Sequence, residues 1–506
     1  MTKDAVKNSK QTVPKGAPHK QAKADDKLEV GITVKKSDDA SEWYTQAITK
    51  GDLIEYTQVS GCYILKPNAW AMWERIQEFF NKEIKPRGVK NMQFPLLIPE
   101  SLLTKEQSHI AGFTPEVAWV THGGHHELPE RLAIRPTSET IICDAFSKWV
   151  RSYRDLPIKV NQWCSVVRWE FKHPTPFLRG REFHWQEGHT IFADKKSAED
   201  EVFDMLMVYK HVFEDLLAVP VIAGKKTDAE KFAGAEYTTS VETFLPVGKA
   251  LQGATSHYLG HHFADAFDIR FLAEDGTRKP VHHNSWGITT RSLGAMILMH
   301  GDDKGLVIPP RVAPIHVAIV PIIFDDSKER VRKYAESIKH SLSKICVESV
   351  LDDREGFSAG YKFNHWELRG VPLRLECGPK DVEKDQVVLV RRDTGEKSFV
   401  PKTSLSIAIP ELLQAIQDSL LDKAKKRLEE SIVEVKSFDE LKKVIAQKKV
   451  AKAPWCGDVS CEKKVTSAVD AAKSLCVPFD QPKSLPASCA VCRAKPKAMI
   501  LFARSY

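Results

Sequence analysis

The sequence predicts an α/β multidomain protein, and three observations lead there. Its 506 residues, 42% hydrophobic and 28% charged, hold more apolar surface than one core uses, so the chain divides into two to four domains. Apolar strand-like runs alternate with helix-period segments in its second half. Five of its ten cysteines crowd between Cys456 and Cys492, which sets the far end apart as a unit of another kind.

In chain order, residues 1–40 read as a disordered basic tail. Met1 to Lys23 carries six lysines against one aspartate with almost no apolar content, too little to bury a core, and it lacks the apolar run of a signal sequence. Residues 41–310 read as one large region of helical runs and short apolar strands, ending at Val307-Ile308-Pro309-Pro310. Residues 311–410 read as a small α/β domain. Ile315 to Phe324 is its buried strand, Lys328 to Lys344 its helix, and Val371 to Leu375 and Gln386 to Val390 are further strands. Ile409 to Lys449 reads as helix rich in Lys and Glu, opening a last domain over residues 411–506. No internal repeat is present. Val312 to Phe324, the longest nearly uncharged apolar stretch, holds two prolines and is too short to cross a bilayer, so no membrane segment is expected. A net charge of +7 permits a nucleic-acid partner without requiring one. Scattered cysteines suit a reducing cytoplasmic compartment.

Neither a GxxxxGK[ST] loop nor a GxGxxG after a strand is present, so any nucleotide is held by other means. His109-Ile110-Ala111-Gly112 resembles the HIGH signature of class I synthetases, but no KMSKS-like loop follows and the match is set aside. Three separated segments carry arginines and acids instead: Arg135-Pro136-Thr137-Ser138-Glu139; Val167-Arg168-Trp169-Glu170 with Phe177 to Glu187; and Asn284 to Arg291. Arginine presents a planar fork that grips phosphate or carboxylate with two hydrogen bonds and keeps its charge. Taken singly, Arg168 and Glu170 pair across a strand and Arg179 and Arg181 cover a solvated loop. The ordered conjunction is what carries a functional reading.

Together these segments resemble the motifs of the class II aminoacyl-tRNA synthetases, with the helix through Trp70 to Phe80 and a strand ending at Phe94-Pro95 standing for the first, dimer-building motif. Gln252-Gly253-Ala254-Thr255-Ser256-His257 narrows the resemblance to prolyl-tRNA synthetases of the eukaryotic and archaeal type, although that family usually shows a second Gly at Ala254. The resemblance implies a class II antiparallel-sheet catalytic domain, an α/β anticodon-binding domain and a C-terminal zinc-binding α+β domain. It implies ATP with Mg²⁺, Arg168 as the catalytic residue between the two anions, and ATP contacts from Glu170, Arg179, Phe183, Gln252, Thr255, Thr289 and Arg291. A secondary-amine substrate needs a carboxylate and a small, partly aromatic cup, which assigns Thr137 and Glu139 to the first need and Trp185, Phe113 and His257 to the second, beside Arg168. His257, His261 and His262, read on a shared helix face, suggest a metal, but no Cys or Asp completes a set there. The 64 residues 188–251 are too few for the editing domain of bacterial-type enzymes, so correction of mischarged product falls to a factor in trans.

Lys362 to Asp381 resembles the family's anticodon module, which puts Glu367, Arg374 and Lys380 at base-reading positions for tRNA(Pro). The alternative is a solvated salt-bridge surface. Cys456-x4-Cys461 and Cys489-x2-Cys492 offer four thiolates for a structural zinc, while Cys476 reads as a packed thiol. The family likeness also implies a homodimer, possible membership of a multisynthetase complex, and a last segment, Arg504-Ser505-Tyr506, folded back toward the active site. The rival reading is a catalytically inactive synthetase-like regulator that binds tRNA, and a third is a class II enzyme for threonine or serine.

Overall fold

The computed structural model describes residues 31–107, 116–170 and 173–506, with the backbone alone for 105–107. Its main feature is an eight-stranded sheet in the order Val477–Pro478, Ile222–Lys225, Tyr237–Leu245, Lys249–Gly260, His282–Thr289, Glu182–Phe192, Ile158–Val167 and Lys90–Asn91. Neighbours run antiparallel except the last pair.

Short apolar strands such as Tyr63–Leu65 and Leu97–Pro99 are present as expected, but the central strands of the main sheet are neither short nor uniformly apolar. Lys249–Gly260 runs 12 residues and Glu182–Phe192 runs 11, and Gln162, Gln186, Glu187, His189, Ser256, Asn284 and Ser285 are buried within the sheet. Both faces are covered, so polar side chains satisfy one another there: Tyr209 on the helix Lys195–His211 donates to Gln186 at 2.6 Å on one face, and Gln162 donates to Glu187 at 2.8 Å on the other. A strand built this way lacks the alternation and the apolar run by which sequence marks a strand. Residues 188–251 supply the end of one strand, the helix Lys195–His211, and the strands Ile222–Lys225 and Tyr237–Leu245.

Asp194 accepts from Ser197 N at 2.8 Å to start the helix Lys195–His211, and a proline at its first position starts the helix Pro67–Ile84. The latter helix is longer than expected from sequence. The strand foreseen up to Phe94-Pro95 stops at Lys90–Asn91, because Phe94 N donates to the Gln162 side chain at 2.5 Å instead of to a ladder. Trp43, Trp73, Phe80, Phe213 and Trp286 fill the core against one sheet face; each such burial contributes about 1.5–3 kcal/mol. Residues 31–39, expected in the tail, are largely exposed but tied down: Lys36 Nζ donates to the Leu298 and Gly301 carbonyls at 2.6 and 2.7 Å. Residues 1–30 lie outside the described residues.

The second sheet is ordered Ser349–Leu351, Val317–Pro321, Leu373–Cys377, Gln386–Arg391 and Lys397–Pro401, with the first three parallel and the rest antiparallel. The helix Lys328–Ser343 buries Val331, Tyr334, Ala335, Ile338 and Leu342, the spacing of one face. The expected division at residue 410 falls inside the helix Leu405–Ser431. The single helix read over Ile409 to Lys449 is broken by the strand Ile432–Glu434, and a second helix, Phe438–Ala446, starts where Ser437 Oγ accepts from Glu440 N at 3.3 Å. The β-branched pair Ile432-Val433 and the Ser-x-x-Glu signature at Ser437 mark that break in the sequence. The final sheet is ordered Ile432–Glu434, Val450–Trp455, Ala498–Arg504 and Ala472–Ser474. Its module hands the strand Val477–Pro478 to the edge of the main sheet.

Candidate active site

Antiparallel register builds the site floor. Across the main sheet, Thr238 lies opposite His257, His257 opposite Ser285, and Ser285 opposite His189. The next rung holds Thr255, Gly287, Glu187 and Gln162, and the one after it Thr289, Trp185 and Cys164. Residues two apart on a strand share a face, so Phe183, Trp185, Glu187 and His189 form one row. Gly287, lacking a side chain, leaves the centre of this floor open.

Over it lies a cavity of about 340 Å³. One end is cationic, with Arg168, Arg179 and Arg291 among its walls; the other holds Glu139, Trp185, His257, Phe232 and Thr238. Arg168 donates to the Pro136 carbonyl at 3.0 Å and stands 5.6 and 5.5 Å from the Phe183 and Trp185 ring centres. Arg291 donates to the Leu178 carbonyl at 3.1 Å. That carbonyl sits beside Phe177, whose φ of +61° is the left-handed region that non-glycine residues adopt under constraint. The turn carrying Arg179 is thus held by Arg291 itself.

Charge is unevenly compensated here. Burial, together with the nearby Arg179 and Arg168, lowers Arg291 to about 10 against the opposing pull of Glu242. Burial and the Glu187 charge push the Glu139 carboxyl up, and its buried Oε2 has no hydrogen-bond partner among the described residues. Burial and the neighbouring His189 hold His257 down at about 3, so its ring is neutral, with Nδ1 2.9 Å from Thr238 Oγ1. Burial and Glu187 push the Cys164 thiol up to about 12.

Of the residues selected from sequence, Arg168, Arg179, Phe183, Gln252, Thr255, Thr289, Arg291, Glu139, Trp185 and His257 meet at this cavity. Glu170 does not: it is exposed, in the turn after the strand Ile158–Val167. Thr137 is buried behind the wall, one residue before Ser138, with its Oγ1 unpartnered. Phe113, with His109 to Gly112, lies outside the described residues. His257 is on a strand, not on a helix with His261 and His262, so these three share no helix face. Ala254 is buried on the same strand as Gly253, so its methyl is accommodated. Glu230, Phe232, Thr238, Ser285 and Trp286 also line the cavity and were not foreseen; cross-strand register, invisible to a linear reading, places three of them.

In the second sheet, Arg374 lies 4.4 Å from the Phe363 ring centre and pairs with Glu376 at 2.8 Å. Glu367, one helical turn after Phe363, pairs with Lys304 at 2.9 Å, and Lys380 is exposed. In the last module, one sulfur of each of Cys456, Cys461, Cys489 and Cys492 lies within 4.8 Å of the others. The Cys456–Cys461 and Cys456–Cys492 spacings are 3.7 and 3.6 Å. A tetrahedral ion with metal–sulfur bonds of about 2.3 Å puts sulfurs ~3.8 Å apart, and Val491 N donates to Cys489 Sγ at 3.5 Å as a thiolate invites. The donor set therefore fits a four-sulfur metal. Cys476 is buried elsewhere, against Gly224. The main chain of Tyr506 donates to the Ala250 carbonyl at 3.1 Å, two residues from Gln252.

Residues 119–300 match the tRNA synthetase class II core domain (G, H, P, S and T), residues 316–418 the anticodon binding domain, and residues 438–506 the prolyl-tRNA synthetase C-terminal domain. The cytoplasmic proline--tRNA ligase of Arabidopsis thaliana is 47% identical over 96% of this chain and 93% of its own length. The bifunctional glutamate/proline--tRNA ligase of Drosophila melanogaster is also 47% identical, over 94% of this chain, which spans only 29% of that longer protein. A crystal structure of prolyl-tRNA synthetase from Cryptosporidium parvum, complexed with halofuginone and AMPPNP, superimposes with a TM-score of 0.91 at 48% identity, covering 94% of this chain and 100% of that one.

Proposed function

The chain belongs to the class II prolyl-tRNA synthetases, and from that premise we propose that it activates L-proline with ATP and transfers it to the 3′ end of tRNA(Pro). One observation carries the reading: a single cavity is lined by Arg168, Arg179 and Arg291 together with Glu139, whose Oε2 is buried with no hydrogen-bond partner among the described residues. Activation is an in-line attack of the substrate carboxylate on the α-phosphate, so catalysis is chiefly alignment of two anions and neutralisation of the charge between them.

Arg168, which stands 5.5 Å from the Trp185 ring and whose charge also acts on Glu139, neutralises that charge and is the catalytic residue. Arg179 and Arg291 hold the phosphates, Phe183 stacks on the adenine, and Gln252, Thr255 and Thr289 complete the ATP contacts. Glu139 receives the substrate nitrogen, with Thr137 supporting it from behind and Trp185 and His257 closing the ring pocket. Glu170 reaches the adenine only if its turn closes over the nucleotide. Mg²⁺, which takes phosphate oxygens and few protein ligands, would neutralise the phosphate chain when bound, and Gln252 and Glu230 are among the side-chain oxygen donors on this cavity that could hold it.

Glu367, Arg374 and Lys380 read the anticodon, where guanine O6 and N7 accept from Arg or Lys and its amino group donates to Glu. Zinc fills the four-cysteine site and stiffens the last module. The domains divide functionally as catalytic over residues 41–310, anticodon-binding over 311–410 and zinc-binding over 411–506. A homodimer built on the helix Pro67–Ile84 accounts for the exposed Trp70 and the neighbouring exposed Met92 and Leu96. The bifunctional relatives support a multisynthetase context, and the compact pocket leaves alanine and cysteine to editing in trans. A cytoplasmic placement goes with ten cysteines free of disulfides; among the described residues no helix is long and apolar enough to cross a membrane. ATP–pyrophosphate exchange with each amino acid tests the reading: proline alone supports rapid exchange, and threonine or serine outperforming it overturns the assignment.

A further inference from the structure

Glu139, on the cavity wall, closes a buried ionisable trio with two residues that the substrate contacts above do not use, Glu187 and His189. Glu139, Glu187 and His189 are 5, 3 and 1% exposed, and one ligand-capable atom of each lies within 4.8 Å of the others. His189 Nε2 is 3.2 Å from Glu187 Oε2. Glu187 is fixed further by Ser138 N at 3.2 Å and Gln162 Nε2 at 2.8 Å, whereas Glu139 Oε2 has no donor. Two carboxylates this close cannot both ionise in an apolar setting without a cation. The other groups facing His189 do not supply one inside the trio: Cys164 on one side is a thiol bonded to Glu187 at 3.6 Å, and His257 and His283 are both driven neutral by burial and by the charge of His189 itself. Cys143 contacts His283 at 3.9 Å, and Arg168 acts on Glu139 from the cavity side.

We infer that His189 is a positioning residue that carries the trio's proton as an imidazolium, keeping Glu139 ionised to receive the ammonium of the substrate. This rests on the reading of Glu139 as the partner of the proline nitrogen. Glu187 serves as the fixed counter-charge: burial alone raises Glu187 and lowers His189, and the mutual hydrogen bond and charge outweigh it only together with donation from Ser138 and Gln162 to Glu187 and the Glu139 charge on His189, holding Glu187 down and His189 up. Without His189 the proton passes to the carboxylate pair, and proline must displace it to bind.

The test is kcat/KM for proline against pH from 5.5 to 9, by pyrophosphate exchange. In His189→Gln the acid limb moves up by at least one pH unit, so that activity at pH 6.5 falls tenfold or more while the profile for ATP keeps its shape. Removing the second carboxylate as well, in His189→Gln/Glu187→Gln, brings the limb back toward wild type, which loss of packing does not do. Should these variants fail to fold, calorimetry of proline binding to the wild type at pH 7 in two buffers of different ionisation enthalpy decides: near-zero proton release is expected, and release approaching one proton overturns the inference. An unshifted acid limb in His189→Gln overturns it too. No proline-dependent exchange in wild type would instead sink the underlying reading.

Discussion

Lys226→Met probes how the C-terminal module is fastened to the catalytic sheet. Lys226 Nζ lies 2.7 Å from Glu242 Oε1 and donates to the Leu475 carbonyl at 2.6 Å, with Lys226 8% and Glu242 2% exposed. Methionine keeps the length of the side chain and removes its charge. Glu242 is then left with Ser240 Oγ alone, at 2.7 Å, and the Leu475 carbonyl loses its donor. Breaking a buried pair from one side costs about 3–5 kcal/mol. Unfolding entropy of about 2.1 cal/mol/K per residue over 506 residues is ~1.1 kcal/mol/K, so ~4 kcal/mol lowers Tm by ~4 °C, and by more if the module melts as a separate unit. Differential scanning calorimetry at matched concentration and salt measures it. The double variant Lys226→Met/Glu242→Leu replaces both charges with apolar groups and recovers to within about 2 °C of wild type, since such replacements are near neutral. A single-variant shift below about 1 °C, or a double variant no better than the single, refutes the reasoning.

Arg168→Ala abolishes exchange by about 10³-fold or more while the fold persists, because it removes charge stabilisation that matters in the transition state; near-normal exchange in a folded variant ends its assignment. Arg374→Ala spares adenylate formation and raises KM for tRNA(Pro), and unchanged aminoacylation kinetics remove it from the reading set. Elemental analysis finds one zinc per chain in wild type and in Cys476→Ser but not in Cys489→Ser; zinc lost only with Cys476 means other sulfurs bind it. Gly188→Ala places a methyl carbon 2.2 Å from the buried Trp286 ring, so Tm falls and KM for both small substrates rises together, an overpacking cost of about 1–3 kcal/mol or more; an unchanged melting curve contradicts that packing.

Much of the site was legible because its chemistry uses residue types that are rare elsewhere in such order. Arg168 and Arg179 stand in the second of the three segments and Arg291 in the third, and no local regularity requires them; they were singled out before their meeting point was known. The cysteine pairs were legible for the same reason, since thiolates at short spacing announce a metal without reference to fold. Glu170 is one that the structure does not bring to the cavity. Its position in the motif said nothing about the turn it occupies, and that turn leaves it in solvent. The break at Ser431 was also present in the sequence, but the Lys and Glu content of its surroundings masked the capping signature at Ser437.

By itself, then, the sequence determined the α/β multidomain organisation, the arginines that meet at the cavity and the thiols that cluster in the last module, and the helices whose one-sided apolar spacing repeats every turn, as in Lys328–Ser343. Those properties live in composition and short-range periodicity. Only the tertiary structure decided that Thr238, His257, Ser285 and His189 stand in one row, that Glu187 and His189 lie beneath Glu139, and that Val477–Pro478 joins a sheet begun nearly four hundred residues earlier at Lys90. Strand register is set by pairing between segments far apart in the chain, and the ionisation of a buried carboxylate is set by whichever groups that pairing brings within a few ångströms. Neither is a property of any stretch of sequence taken alone.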